Sequence, residues 1–302
     1  MKDRVIIKEV AARDGLQAQP KHLSLEQRQA LIAQLAVTGV PEIEIGSFVS
    51  PKAVPQMAGT DVIAANLPAA SVAWSALVPN MKGYELARMA GLDTLAIVVS
   101  ATEQMNQNNI RKSLADTFVM AEDILARACE EGVSIHAYLA VAFECPYEGA
   151  VAEATIIEQA AQLMRYEPER LVIGDTIGAA NPVAVKSMMQ ELARQHGAER
   201  IGCHFHDTRA MGMANVFAAL EADIRQFDSS AGGLGGCPFA PGAKGNVATE
   251  DVVLLCEQAG LSTGVDIPAL LAAIELLSEQ IGTPQGGRTH YWLSNNWQKV
   301  VA

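Results

Sequence analysis

The stretch that decides the fold reads Gly202-Cys203-His204-Phe205-His206-Asp207 and closes an apolar run. Successive side chains along a strand point to opposite faces, so His204 and His206 share one face. A lone histidine is commonly a hydrogen-bonded structural residue, but two neutral imidazoles on one face can chelate a single cation. We therefore interpret the stretch as a strand that ends in a metal-binding pair.

Around this strand, apolar runs alternate with helical patterns along most of the chain. The predicted strands cover residues 5–10, 42–48, 72–78, 94–100, 135–142, 171–173, 201–204 and 224–228. Amphipathic helices are predicted at 24–36, 82–90, 114–131, 152–164, 182–195, 214–222 and 249–257. This alternation, with eight strands, suits a closed (β/α)8 TIM barrel in the α/β class better than an open doubly wound sheet.

The predicted barrel covers residues 4–260, and a C-terminal extension follows at 261–302. An amphipathic helix is expected at 267–279, and the glycines within 282–287 indicate a loop that leads into a tail. The sequence contains no charge block or low-complexity linker that would mark a domain boundary. We therefore expect residues 1–302 to form a single TIM-barrel domain with an extra C-terminal helix and tail.

Composition and charge narrow the classes of function. The 302 residues carry a formal net charge of −12, which argues against nucleic acid or an anionic membrane as a partner. The N-terminus lacks an apolar signal core, and no later run reaches the ~18 apolar residues of a membrane helix. Five widely spaced cysteines indicate reduced thiols rather than a disulfide framework. We expect a cytoplasmic metabolic enzyme.

Polar side chains at the carboxyl ends of barrel strands converge in space, and chemistry takes place there. Candidates at these positions are Arg13, Asp14 and Gln17 after strand one, Glu44 in strand two, Asp175 after strand six and Asn246 after strand eight. With His204 and His206, the carboxylate of Asp14 and the amide oxygen of Asn246 would complete a shell of two nitrogens and two oxygens. This mixed shell favours Mg²⁺ or Mn²⁺, although imidazole also accepts Zn²⁺, Co²⁺ and Fe²⁺.

Arg13 is a permanent cation suited to stabilising a carbonyl oxygen as it becomes an enolate. A purely structural interpretation is an ion pair with Glu44 or Asp175. Glu44 alternates with apolar neighbours, so an inward-pointing carboxylate there needs a partner such as Arg13. Asp207 is expected to cap a helix or support the neighbouring histidine.

A glycine-rich segment, residues 231–246, contains Cys237 and lacks the Gly-Lys-Ser/Thr ending of a phosphate-binding loop. One interpretation is a flexible connection with a bystander thiol. The other is a lid whose thiol transfers a proton while the closed loop excludes water. Cys145, after strand five, is placed to line the barrel mouth. Lys52 and Lys82 are candidates for phosphate contacts at its rim, although solvated lysines are the commoner explanation.

Several motifs follow one another in a fixed order. They read Arg13-Asp14-Gly15-Leu16-Gln17, Ser47-Phe48-Val49-Ser50-Pro51-Lys52, Val54-Pro55-Gln56-Met57, Cys145-Pro146-Tyr147-Glu148-Gly149, Gly174-Asp175-Thr176-Ile177-Gly178, His204-Phe205-His206-Asp207-Thr208 and Gly232-Gly233-Leu234-Gly235-Gly236-Cys237-Pro238 with Gly245-Asn246. On these motifs the chain resembles the 3-hydroxy-3-methylglutaryl-CoA lyases, which belong to the metal-dependent barrel lyases and Claisen-type synthases.

The resemblance implies a set of roles. Asp14, His204, His206 and Asn246 would hold a divalent cation, Arg13 would stabilise the enolate, and Cys237 would be the catalytic thiol. It also implies retro-Claisen cleavage of 3-hydroxy-3-methylglutaryl-CoA, an acyl-CoA substrate, into acetyl-CoA and acetoacetate, and analogy suggests a homodimer.

The chain departs from the family pattern at Ala11-Ala12, Ala18-Gln19 and Arg209-Ala210, none of which removes an implied ligand or thiol. A related 3-hydroxy-3-alkylglutaryl-CoA is therefore an alternative substrate. The rival functions are a condensing synthase of the isopropylmalate or citramalate type, a metal-dependent hydrolase and a noncatalytic binding module. The glycine-rich segment with Cys237 and the position of the histidine pair at strand seven favour the lyase.

Overall fold

The structure is a computed structural model that describes residues 3–236 and 245–300. Eight parallel strands close into a barrel whose neighbours run in the order β1-β10-β9-β8-β5-β4-β3-β2, and a two-stranded ribbon pairs β6 with β7. The strands are β1 (Ile6–Glu9), β2 (Glu42–Ser47), β3 (Ala73–Leu77), β4 (Thr94–Ser100), β5 (Ser134–Ala140), β6 (Glu144–Cys145), β7 (Gly149–Ala150), β8 (Arg170–Asp175), β9 (Ile201–Phe205) and β10 (Gln226–Ser229). The predicted TIM barrel is confirmed.

Helices surround the barrel and continue beyond it. They are α1 (Leu25–Ala36), α2 (Thr60–Ala64), α3 (Met81–Met89), α4 (Glu103–Ile110), α5 (Leu114–Glu131), α6 (Glu153–Met164), α7 (Pro182–His196), α8 (Gly212–Leu220), α9 (Thr249–Gln258), α10 (Ile267–Ile281) and α11 (His290–Asn296). In the described part of the chain, no helix is both long and apolar enough to cross a membrane.

Burial on both faces explains why the barrel strands form where they do. Every residue of β2 and of β8 is buried, because one face of each strand points into the barrel and the other packs under the helices. Ser24 begins α1 with a capping box, in which its hydroxyl accepts from the Gln27 amide and the Gln27 side chain accepts from the Ser24 amide. Sequence pattern and local hydrogen bonding thus favour the same boundaries.

Strand register places His204 beside Asp228, which the site described below also contains. His204 on β9 lies opposite Gly174 of β8 on one side and Asp228 of β10 on the other. Because parallel strands of a barrel end at the same rim, the segments that follow them meet above this level.

The structure contains elements that the apolar pattern did not predict. Helix α4 is polar along most of its length, α2 and the β6–β7 ribbon are short, and α11 lies in the segment expected to be an irregular tail. Strand β8 is longer than the predicted 171–173, because it includes the buried charged residues Arg170 and Asp175 at its ends. Apolar runs underestimate a strand that carries inward-pointing charges.

The C-terminal extension packs back onto the barrel. Helix α10 lies against α1, where the Gln280 side chain donates to the Gln27 carbonyl at 3.0 Å. Beyond it, the backbone amide of Gly287 donates to Glu250, and the amides of Arg288 and Thr289 donate to Asp251. The extension is therefore held to the start of α9.

Candidate metal centre

The histidine pair projects from the end of β9 toward the barrel mouth. His204 is 8% exposed and His206 is 6% exposed, and their Nε2 atoms are 3.2 Å apart. Oδ2 of Asp14 lies 3.9 Å from Nε2 of His204 and 4.0 Å from Nε2 of His206. Three potential ligand atoms from two distant segments therefore face one point.

Asp14 reaches this point from a tight turn that follows β1. Residues Ala11–Gly15 form one π-helical turn, and a Cβ at Gly15 would lie 3.0 Å from Leu234 Cδ2. A larger residue there would push the Leu234 side chain aside, because the turn packs closely against the segment after β10. Burial opposes ionisation of Asp14, but Arg13 and the two imidazoles outweigh it and lower the pKa of this carboxyl. Asp14 is thus an anion at neutral pH.

Asn246 completes the group. It forms an antiparallel bridge with His206, and its side-chain Nδ2 donates to Asp14 Oδ2 at 2.7 Å and to the Leu234 carbonyl at 3.1 Å. The amide nitrogen rather than the expected amide oxygen therefore faces Asp14. Because a half-turn of the amide exchanges the two atoms, the ligand role expected from the sequence requires the other orientation.

We refer to Asp14, His204, His206 and Asn246 as the metal cluster. Two ligand atoms bound to one ion at about 2.0–2.1 Å lie at most about 4.2 Å apart. The separations of 3.2, 3.9 and 4.0 Å among Asp14, His204 and His206 meet this condition. One carboxylate and two imidazoles also form a donor set that divalent cations bind. These residues fit a divalent metal.

Asp228, which the sequence analysis did not single out, orients His204. Its Oδ2 lies 3.1 Å from His204 Nδ1 and accepts from the Tyr138 hydroxyl at 2.7 Å. A hydrogen bond at Nδ1 leaves Nε2 free to face a cation, as carboxylates behind metal-binding histidines do. Burial alone would lower the pKa of His204, but Asp228 and Asp14 raise it. Burial and the neighbouring His204 lower the pKa of His206 to about 4.

Arg13 lies beside the cluster and pairs with two carboxylates. Its Nε donates to Glu44 Oε2, and its Nη1 donates to Asp14 Oδ1 at 2.6 Å. Burial opposes its charge, but the carboxylates of Glu44 and Asp14 raise the pKa of Arg13. The expected pairing of Glu44 with Arg13 is confirmed, and Asp14 takes the place of Asp175 as the other partner.

Asp175 ends β8 and is 1% exposed. Its carboxylate accepts the amides of Ala179 and Ala180 at 2.8 and 3.0 Å. Burial raises the pKa of Asp175 to about 6, even though these amides favour the anion. Gln17 is half-buried and closely follows the turn that ends at Gly15. Asp175 ends one barrel strand and Gln17 follows another, so both lie on the side of the barrel that carries the metal cluster.

The other predicted residues lie outside the metal cluster. Cys145 is buried in the β6–β7 ribbon and accepts a hydrogen bond from Thr102 at 3.0 Å. Lys52 and Lys82 are exposed beyond β2 and β3. Cys237 lies outside the described residues. Asp207 caps α8 by accepting the Gly212 amide at 2.9 Å, as one of its two expected roles requires.

A second buried group was missed, and we call it the inner charge cluster. Its members, below the metal cluster inside the barrel, are Lys8, Glu42, His136 and Arg170. Glu42 lies 3.3 Å from the Lys8 Nζ, 3.2 Å from His136 Nδ1 and 3.3 Å from Arg170 Nη1. A sequence signal was available, since Lys8 and His136 are polar residues within apolar runs and Glu42 and Arg170 each begin one.

Comparisons with known proteins show which family the chain and its fold resemble. The sequence profile of the HMGL-like family matches residues 4–277. The hydroxymethylglutaryl-CoA lyase of Pseudomonas mevalonii is 42% identical over 281 residues, covering 93% of each chain. A Pseudomonas aeruginosa 3-hydroxy-3-isohexenylglutaryl-CoA/hydroxy-methylglutaryl-CoA lyase is 37% identical, covering 94% of this chain and 95% of its own. The crystal structure of a Bacillus subtilis HMG-CoA lyase superposes with a TM-score of 0.94 at 39% identity, covering 97% of this chain and 99% of its own.

Proposed function

The chain belongs to the HMGL-like family of carbon–carbon lyases, and we propose that it cleaves 3-hydroxy-3-methylglutaryl-CoA into acetyl-CoA and acetoacetate. The observation that carries this proposal is the metal cluster with Arg13 beside it, at the rim where barrel enzymes work. The relatives with this activity match nearly the whole chain, which favours the lyase over a condensing synthase, a hydrolase or a binding module.

Asp14, His204, His206 and Asn246 would hold the ion, and we propose Mg²⁺ or Mn²⁺. The carboxylate and amide ligands support this choice, since hard cations prefer oxygen. Such a cation would lower the pKa of the substrate's tertiary hydroxyl and make its proton easier to remove. We propose that Asp14 and His204 also take part in the reaction, because Asp14 contacts Arg13 at 2.6 Å and His204 contacts Asp228 at 3.1 Å.

The chain's residues then control the charge that develops. As the hydroxyl proton passes to the Asp175 carboxylate, the carbon–carbon bond breaks, a ketone forms at the hydroxyl carbon, and the electron pair moves into the thioester as an enolate. Arg13 stabilises the enolate oxygen, while Glu44 holds the guanidinium in place. Cys237 donates a proton to the enolate carbon, giving acetyl-CoA; this role rests on the sequence motif alone.

Asp175 and Gln17 are proposed to contact the substrate at the rim. A pKa of about 6 allows Asp175 to exchange a proton near neutral pH. Cys145 supports the mouth through the ribbon, and Lys52 and Lys82 are proposed to meet the CoA phosphates, supported by their exposed positions beyond β2 and β3.

Three broader properties complete the proposal. The free thiols of Cys129, Cys145, Cys203 and Cys256 support a cytoplasmic location, because cytoplasmic thiols stay reduced. We propose one domain for residues 1–302, supported by the packing of α10 on α1. A homodimer without nucleic-acid or membrane partners is also proposed; the net charge of −12 supports the second part.

The direct test incubates metal-loaded protein with 3-hydroxy-3-methylglutaryl-CoA and measures acetyl-CoA and acetoacetate. We expect both products in equal amounts. A parallel reaction with 3-hydroxy-3-isohexenylglutaryl-CoA shows which 3-alkyl group the site prefers. Absence of cleavage of the methyl substrate by metal-loaded, folded protein contradicts the proposal.

A further inference from the structure

Lys8 lies inside the barrel, one layer below the metal cluster. It is fully buried on β1, between two residues whose side chains point to the opposite face. In the strand register Lys8 lies opposite Glu42 of β2 and Asp228 of β10. Its side chain therefore extends among the inward-pointing groups of both neighbouring strands.

The Lys8 ammonium joins the inner charge cluster to the catalytic rim. Nζ lies 3.3 Å from Glu42 Oε1 and 3.3 Å from Glu44 Oε1, and it is 5.3 Å from the centroid of the Tyr138 ring. Burial opposes the charge of Lys8, but Glu44, Glu42 and Asp228 together raise its pKa. The ammonium is therefore charged at neutral pH.

The two glutamates differ in their other partners among the described residues. Glu42 also pairs with Arg170 and His136, so it retains nearby positive charge without Lys8. The other cation paired with Glu44 is Arg13, which bonds the second carboxylate oxygen. Loss of Lys8 would leave Glu44 Oε1 buried without its cation, and the carboxylate would turn to bind the Arg13 guanidinium with both oxygens.

We propose that Lys8 is a positioning residue for the lyase reaction, which fixes Arg13 at the enolate through Glu44. Lys8 holds Oε1, so that Oε2 alone receives Arg13 Nε and the rest of the guanidinium stays at the rim beside Asp14. This inference rests on the proposed function, because it concerns the rate of the cleavage that Arg13 supports.

The test is a double-mutant cycle with Lys8→Met, Glu44→Gln and the combined variant, assayed for kcat and KM. A misplaced catalytic group costs up to about 100-fold in rate, so we expect Lys8→Met to lower kcat about 10-fold to 100-fold with KM changed less than about threefold. In the Glu44→Gln background, Lys8→Met should have no further effect on kcat. Additive losses would overturn the proposal.

Two controls separate positioning from folding. Glu42→Gln perturbs the inner charge cluster but keeps Lys8, Glu44 and Arg13, so its kcat should stay within about threefold of the parent. If Lys8→Met does not fold, the proposal can still be tested by comparing the kcat of Glu44→Gln with that of the double variant. The double variant removes the cation and the anion together. Equal kcat supports the proposal, and a further tenfold loss contradicts it. An inactive parent would contradict the proposed function instead.

Discussion

The metal cluster and the inner charge cluster lie one layer apart in the same barrel, yet their charges are arranged in opposite ways. In the inner cluster both Glu42 oxygens face basic groups, and Lys8 also pairs with the second carboxylate, that of Glu44. In the metal cluster two imidazole nitrogens face each other at 3.2 Å, near a carboxylate at 3.9 and 4.0 Å. Electron-donating atoms that face one another at these distances repel each other unless a cation lies between them, so the metal cluster is arranged to bind a cation.

The largest expected difference between the two clusters is the effect of replacing a histidine. His204→Ala or His206→Ala should remove bound metal and lower cleavage by about 1,000-fold or more, because each deletes a ligand. His136→Gln is the matched control, since His136 is a buried histidine of the inner cluster. Metal content measured by mass spectrometry and initial rates check both. Full metal occupancy in both alanine variants would contradict the claim that the metal cluster binds the metal and the inner charge cluster does not.

Glu42→Ala tests the inner cluster as a structural element. It leaves Lys8, His136 and Arg170 without their shared carboxylate, and breaking a buried pair costs about 3–5 kcal/mol in the free energy of unfolding. Denaturant titration measures this loss. Glu144→Gln, which breaks an exposed pair with Arg209, should cost about 1 kcal/mol or less. Equal effects of the two substitutions would contradict a structural role for the inner cluster.

Glu9 represents a third arrangement, a buried carboxyl that bonds neutral groups. It accepts the amides of Ala11 and Ala231 and the hydroxyl of Thr249, and burial raises its pKa to about 7. Between its ordinary pKa and 7, the folded protein keeps a proton that the unfolded chain has lost. The contribution of Glu9 to stability therefore falls as pH rises through this range.

Glu9→Gln removes this titration and keeps the amide acceptor. The free energy of unfolding of the parent should fall between about pH 5 and about pH 8, whereas that of the variant should not. The difference between them should therefore shift in favour of the variant by at most about 3 kcal/mol, since one pKa unit is worth about 1.4 kcal/mol. Unfolding curves at the two pH values measure the change, with the exposed Glu158→Gln as control. A difference between parent and variant that does not vary with pH would contradict this.

The smallest expected effect is that of Asp228→Asn, which weakens the support of His204 without deleting a ligand. Loss of such a partner lowers metal affinity about 10-fold to 100-fold. Calorimetric titration with Mn²⁺ measures the dissociation constant of the metal in the parent and in the variant. An unchanged dissociation constant would mean that Asp228 belongs to the inner cluster alone.

Much of this architecture followed from the sequence, for physical reasons. Apolar runs and helical periods predict the barrel, and alternation along β9 places His204 and His206 together. The Arg13–Glu44 pair followed from the need of a buried carboxylate for a cation.

The rest depends on neighbours that are distant in the chain. Asp228 and Tyr138 are separated by 90 positions, and only strand register brings them to His204. Lys8 and Glu42 are likewise paired by register. The orientation of the Asn246 amide depends on Asp14 and the Leu234 carbonyl, which both accept from its Nδ2 and which no sequence pattern places there.

The central claim is that His204 and His206 bind one divalent cation together. Electron spin-echo envelope modulation on the Mn²⁺-loaded protein tests it most directly, because the modulation reports nitrogen bound to manganese. We expect coupling to two imidazole nitrogens in the parent and in His136→Gln. Tightly bound manganese without nitrogen coupling in the parent would contradict the claim.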